Sequence, residues 1–143
     1  MAVRLYNAPA EAACDTVGGR IDAGASAGRV EIRDGSQPAV NGALTGNILC
    51  TFDFSDPALG AASANGTNAD AAANGLPKTD PSAANSGTAA YGVILDSDDN
   101  VILTGTVTAT GGGGDFEIDN INIEADQEVQ LTGYTLRLPQ QGA

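Results

Sequence analysis

Apolar and polar side chains alternate most cleanly in the second half of the chain. Ala89, Tyr91, Val93 and Leu95 take every second position, Ser97-Asp98-Asp99-Asn100 interrupts them, and an apolar stretch resumes over residues 101–107. Successive side chains of a strand point to opposite faces, so the pattern predicts two strands joined by a turn, the clearest hairpin signal in the sequence. Residues 111–114 are all glycine and predict a flexible connection. Phe116 with Ile118, and Ile121 with Ile123, predict short strands parted at Asp119-Asn120. The last strand is the longest. Val129 and Leu131 keep one parity while Tyr134, Leu136 and Leu138 keep the other, and a β-bulge near Gly133 would return all of them to one face.

The first half is less regular. Over residues 8–23, Pro9 suits a helix start, and Ala12, Ala13, Val17 and Ile21 form an approximate helical stripe, which predicts a short N-terminal helix. Val30 and Ile32 then alternate with Arg29, Glu31 and Arg33, a half-buried strand with one polar face, and Asp34-Gly35 marks a turn. Residues 47–55 predict another strand, with Ile48, Cys50, Phe52 and Phe54 on one side, closed by Asp56-Pro57. Residues 58–85 are rich in Ala, Asn, Gly, Asp and Ser and cannot bury enough surface to build a core of their own. They predict a long loop, which either contains a small-residue strand near residues 65–73 or is an arm ordered by a partner. The expectation is one all-β domain over residues 1–143, an antiparallel β-sandwich of jelly-roll-like topology with a short N-terminal helix.

Composition narrows what such a domain does. The chain has 143 residues, 18 acidic against 6 basic side chains, and a formal net charge of -12. That charge repels phosphate backbones, so no direct nucleic-acid partner is expected. No stretch approaches a membrane span and the first residues lack a signal-peptide pattern, so a product made in the cytoplasm, with no membrane partner, is expected. Cys14 and Cys50 lack metal-ligand spacing and are expected as buried thiols. There is no histidine, which removes Ser-His and Cys-His designs and imidazole metal ligands. We expect no enzyme, no catalytic, metal or cofactor residues, and no cofactor. Asp96, Asp98 and Asn100 stand at calcium-loop spacing, but Val101 and Val107 occupy the positions that need Gly and Glu. A hairpin turn whose carboxylates cap backbone amides is the expected role.

Several segments carry a family resemblance. Asp22-Ala23-Gly24 with Gly28, the run Val30-Glu31-Ile32-Arg33-Asp34-Gly35-Ser36-Gln37-Pro38, then Leu49 and Phe52-Asp53-Phe54-Ser55-Asp56-Pro57-Ala58-Leu59-Gly60, form one set. Gly87-Thr88-Ala89-Ala90-Tyr91, Leu95-Asp96-Ser97-Asp98-Asp99-Asn100-Val101 and Gly105 form another. Together, over about residues 12–138, they resemble the head decoration (cement) proteins of tailed bacteriophages, although Gly92 and Val93 stand where that pattern has a basic residue. The resemblance implies a structural virion protein that binds the outside of the capsid and bridges major capsid proteins, as a homotrimer or other homo-oligomer on the virion surface. A head-tail connector or tail protein forming a ring, and a receptor- or carbohydrate-binding module, are the alternatives. Contact candidates fall in three regions: an N-terminal arm over residues 1–9 with Arg4, Leu5 and Tyr6, for which an edge strand of the same domain is the other reading; the face of Arg29, Glu31 and Arg33, for which a solvated strand face is the other reading; and Leu76 and Lys78 in the long loop.

Overall fold

The computed structural model describes residues 3–141. Helix α1 (Asn7–Ile21) is followed by strands β1 (Arg29–Arg33), β2 (Ile48–Asp53), β3 (Ser63–Ala64), β4 (Asn68–Ala72), β5 (Lys78–Asp80), β6 (Gly87–Thr88), β7 (Tyr91–Leu95), β8 (Val101–Ala109), β9 (Phe116–Ile118), β10 (Asn122–Ile123) and β11 (Val129–Pro139). Nine strands form one sheet in the order β2-β1-β7-β8-β9-β11-β4-β3, with β5 beside the start of β11, and β10 pairs separately with β6. The architecture is a small mixed β-sheet domain with one short helix.

The sheet is mixed rather than antiparallel because β8 and β9 run parallel, Val107 opposite Phe116 and Ala109 opposite Ile118. Parallel neighbours ordinarily need a crossover of about a dozen residues or more. Here residues 110–115 suffice, and the glycine run is the reason. Gly111 and Gly113 adopt φ of 86° and 84°, in the left-handed region that favours glycine. Gly112 and Gly114 press so closely on Thr108 that an added Cβ would lie 2.8 and 2.9 Å from its side chain. The connection is a tight reversal, not a flexible linker. Asp115 completes it by accepting the Thr106 amide at 2.9 Å, while its own amide donates to Thr106 Oγ1 at 3.1 Å.

The β7–β8 hairpin, β1 and β2 follow the predicted alternation, and the bulge in β11 occurs where the parity change requires it. Leu131 faces Ile118, Gly133 faces Glu117 and Tyr134 faces Phe116, so β11 spends one extra residue against β9. Val129, Leu131, Tyr134 and Leu136 are all buried as a result, and Leu138 packs against the same core half-buried. Tyr134 stacks on Phe116 with ring centroids 4.6 Å apart.

Residues 58–85 are not one unbroken loop: of the two alternatives, the small-residue strand near residues 65–73 is present, as β4. They hold β3, β4 and β5, and β4 pairs with β11 over five residues from Thr135 opposite Ala72 to Pro139 opposite Asn68. Ala69 and Ala71 are buried there. Small side chains are what the site needs, because α1 lies against β4, β3 and β11. The buried stripe of α1 is Ala10, Cys14, Gly18 and Ile21, with Val17 half-buried, while Ala12 and Ala13 are exposed. Gly18 belongs to the stripe because its Cα faces Leu59, 3.3 Å from where a Cβ would stand. A strand whose buried positions are alanine can approach closely the Ala10, Cys14 and Gly18 part of the helix.

The helix is also joined to the chain beside it through its acidic side chains. Glu11, Asp15 and Asp22 accept the amides of Ala64, Ala62 and Ala58 at 2.9, 2.8 and 3.0 Å. These carboxylates stand where a neighbouring strand would supply carbonyls, and they cover an edge that would otherwise offer free N–H groups. Asp80 acts similarly at the other margin, accepting the Thr51 amide at 2.8 Å, so β5 and β2 meet through a side chain rather than a ladder.

Candidate interaction surface

The sequence-derived contact candidates separate into three places. Arg4 forms an isolated bridge with Gln141, and the Leu5 amide donates to the Gln140 carbonyl at 2.6 Å. The expected arm is therefore an edge segment of its own domain over its described residues, and Ala2 lies outside them. Gln140 is the clasp: buried, it donates through Nε2 to the Leu5 carbonyl at 3.1 Å and to Asn7 Oδ1 at 2.8 Å, while Oε1 accepts the Gly66 amide at 2.7 Å. From residues 3–6 only the backbone is engaged. Tyr6 is 84% exposed, and Val3 and Leu5 are exposed beside it.

Arg29, Glu31 and Arg33 do not present a solvated face. Glu31 is 4% exposed, with Oε2 3.1 Å from Arg29 Nε and Oε1 2.9 Å from Arg33 Nη2. Arg29 continues to Asp99 Oδ1 at 2.8 Å, and Arg33 donates to the Gly46 carbonyl at 3.3 Å. Partial burial works against the Arg29 charge, but its hydrogen bonds to Asp99 and Glu31 outweigh that and hold its pKa above the ordinary value. These charges spend their interactions on one another, because a buried charge is tolerated only when paired and hydrogen-bonded. Sequence alternation correctly placed the three on one face; it could not tell that the face is covered.

What covers it is the segment between β1 and β2. Tyr91, Val93 and Leu95 form a second buried cluster on this face, with Leu44 packed against them. Tyr91 Oη donates to the Thr45 carbonyl at 2.7 Å and accepts the Thr45 amide at 2.9 Å, pinning the segment down. Its neck is closed by Asp34, which accepts the Asn47 amide at 2.6 Å, and by Gly46 at φ 73°. The tip stands away from β8, leaving an open hollow of about 630 Å³ between residues 37–44 and residues 101–104, with Val40 93% exposed and Val101 exposed. Neither valine was a sequence candidate. The available signal was a large apolar residue, Val40, directly before the Asn41-Gly42 turn pair.

Leu76 and Lys78 lie elsewhere. Leu76 is half-buried against the main core, and Lys78 pairs with Leu131 in register and donates to Ser55 Oγ at 2.7 Å. Leu131 and Gln141 are ten positions apart along β11 and its continuation, roughly 30 Å of extended chain. The N-terminal and β5 candidates do not share a patch.

The exposed apolar residues, by contrast, gather at one end of the sheet. β8 runs parallel to β9 and β9 antiparallel to β11, so the start of β8 and the finish of β11 lie at the same end. Val101 and Val40 belong to the first, Val3, Leu5 and Tyr6 to the segment bridged just beyond the second, and these are all the exposed large apolar side chains among the described residues. Toward the opposite end, beyond the Ala109–Ile118 pair, the segment 119–128 carries four carboxylates and no cation.

The remaining chemistry is inward or local. Cys14 and Cys50 are buried free thiols; burial raises the pKa of both, that of Cys14 further through Asp15 and Asp70, and that of Cys50, through Asp80 and Asp119 as well, to about 12. Asp96 caps the hairpin turn as expected: Oδ1 accepts the amides of Asp98 and Asn100, both at 2.9 Å, and Oδ2 accepts Asn100 Nδ2 at 3.0 Å. The Asn100 side-chain and backbone bonds, with that from Asp98, hold its pKa below the ordinary carboxylate value against a smaller effect of burial. No cluster of three or more His, Cys, Asp or Glu side chains able to hold a metal ion occurs among the described residues. No protein-family model, curated protein or solved structure matches this chain.

Proposed function

We propose that this chain is a structural virion protein that binds the outside of a tailed-phage capsid and braces neighbouring major capsid proteins. The observation that carries the proposal is the polarity of the molecule: every exposed large apolar side chain among the described residues lies at one end of an acidic domain. Surface apolar groups concentrated in this way mark an adhesive face. The rest of the domain is internally satisfied. No buried side-chain polar atom lacks a hydrogen-bond partner among the described residues, and both thiols are sequestered. A brace needs this combination, a rigid body with one sticky end, and it needs no reactive group.

The segments that carry the family resemblance support the same reading from another direction. They are the β1 strand with its following turn, the β2 strand with its closing turn, and the β7–β8 hairpin, which together frame one side of the sheet. We read the domain as a jelly-roll-like sandwich in which the sheet folds back until β5 meets β2, a reading supported by the Asp80 to Thr51 bond. Made in the host cytoplasm, the protein would add to heads after shell assembly, where symmetry multiplies modest contacts. The test is to add purified protein to expanded heads assembled without it and measure saturable co-sedimentation. Binding that raises the temperature of head disruption supports the proposal; failure to bind heads, with incorporation at the neck or tail instead, replaces it with a ring component.

A further inference from the structure

We infer that the free protein pairs with a second copy of itself, end to end about a two-fold axis, through its apolar end. The argument rests on charge and on symmetry. A chain of net charge -12 is repelled by its own copies, so self-association has to use the part of the surface where that repulsion is least. The hollow beside β8 is lined by Gln37, Pro38, Val40, Leu44, Val101 and neighbours, none of them charged. The N-terminal hollow, lined by Leu5, Tyr6, Asn7, Gly66 and Gln140, has Arg4 as its one charged residue.

The two patches complement each other in sign. Both are open hollows of similar size, about 590 and 630 Å³, with Tyr6 exposed at one and Val40 at the other. One carries Arg4; the other is flanked by Asp98, an exposed residue in the turn just before Val101 that forms no ion pair among the described residues. Both lie at the same end of the sheet, on strands only two positions apart in the sheet order. An isologous contact therefore brings the Tyr6 patch of each copy to the Val40 hollow of the other, with Arg4 facing the second copy's Asp98 twice, and the pair closes without leaving a free patch. A heterologous contact would leave one patch open at each end. The pair also covers the adhesive end until a shell competes for it, although the capsid proposal does not require this.

The experiment is sedimentation velocity over a protein concentration series, with the full chain and three variants. The wild type is expected to shift from one to two copies as concentration rises. Val40→Glu, at an exposed position, and Arg4→Glu are each expected to weaken pairing by about tenfold or more, corresponding to at least ~1.4 kcal/mol. Adding Asp98→Arg to Arg4→Glu restores the opposite charges across the contact and is expected to recover most of the affinity. Circular dichroism and melting of each variant confirm that the fold is kept. A wild type that stays monomeric at millimolar concentration overturns the inference, whatever the heads do. So does a dimer indifferent to Val40→Glu, or a charge swap that pairs no better than Arg4→Glu alone.

Discussion

Asp22 offers the sharpest test of how α1 is held. It is the residue that ends the helix, where a negative charge opposes the helix dipole at a cost of about 0.3–1 kcal/mol. Its compensating role is to accept the Ala58 amide, with Oδ1 at 3.0 Å and Oδ2 at 3.3 Å, and Ala58 is fully buried. Asp22→Ala leaves that N–H without a partner in a place water reaches poorly, a loss of about 1.5–3 kcal/mol for a bond to a charged group. Relief of the dipole conflict offsets part of it, so the net destabilisation is about 1–2 kcal/mol. Asp22→Asn keeps an acceptor oxygen, removes the charge, and is expected to cost less than half as much. Asp15→Ala is the control: its bond to Ala62 is of similar length, 2.8 Å, but exposed, so water takes over and the loss stays under about 0.5 kcal/mol. Urea unfolding at neutral pH reads all three, with an unchanged slope showing that the transition itself is the same. Equal losses for Asp22→Ala and Asp15→Ala would refute the claim that burial of the amide sets the value of the carboxylate.

Other expectations follow from the same structure. Gly92→Ala places a methyl 2.5 Å from the Phe116 ring, which is held between β8 and β11, and overpacking of that kind is expected to cost about 1–3 kcal/mol in urea unfolding. Cys14 and Cys50 are expected to resist a thiol reagent in the native protein at pH 8 and to react fully in denaturant; prompt labelling of either in the native state would contradict their burial. Because both native thiols titrate above the ordinary 9.0, unfolded thiols ionise first as pH rises, so stability contributed by the protonated thiols is full below pH 9.0 and falls above it; replacing Cys50 with Ala should flatten that alkaline decline. Asp96 has the opposite sign. Its pKa is lowered on folding, so its contribution is full above the ordinary carboxylate value and lost as pH falls through its folded value, and the stability difference between wild type and Asp96→Ala should shrink on acidification below about pH 4.

Strands whose apolar positions carry bulk were legible from alternation alone, and so was the bulge in β11, because a parity change within one apolar face has few other solutions. What was left open or escaped was built from small residues or from context. β4 was one of two alternatives for its segment, because Ala69 and Ala71 carry too little apolar area to decide for a strand, yet they are what lets α1 approach. The parallel step from β8 to β9 depends on four consecutive glycines, which read as flexibility because the sequence does not show that each is packed or turned into a fixed position. Glu31 looked exposed because a carboxylate flanked by arginines suits both a solvated face and a buried ion cluster; only the covering segment, pinned through Tyr91 and Thr45, decides between them. The acidic excess was legible as net charge but not as structure, whereas Glu11, Asp15, Asp22, Asp34, Asp80, Asp96 and Asp115 all accept backbone amides.

The proposed role itself is tested most directly by imaging heads assembled with and without this chain and locating the added density. The account predicts regular density on the outer surface of the shell, attached through the end that carries Tyr6 and Val40, with the acidic segment 119–128 on the side away from the shell. Density confined to a ring at the neck or tail, or shells identical in both preparations, would contradict it.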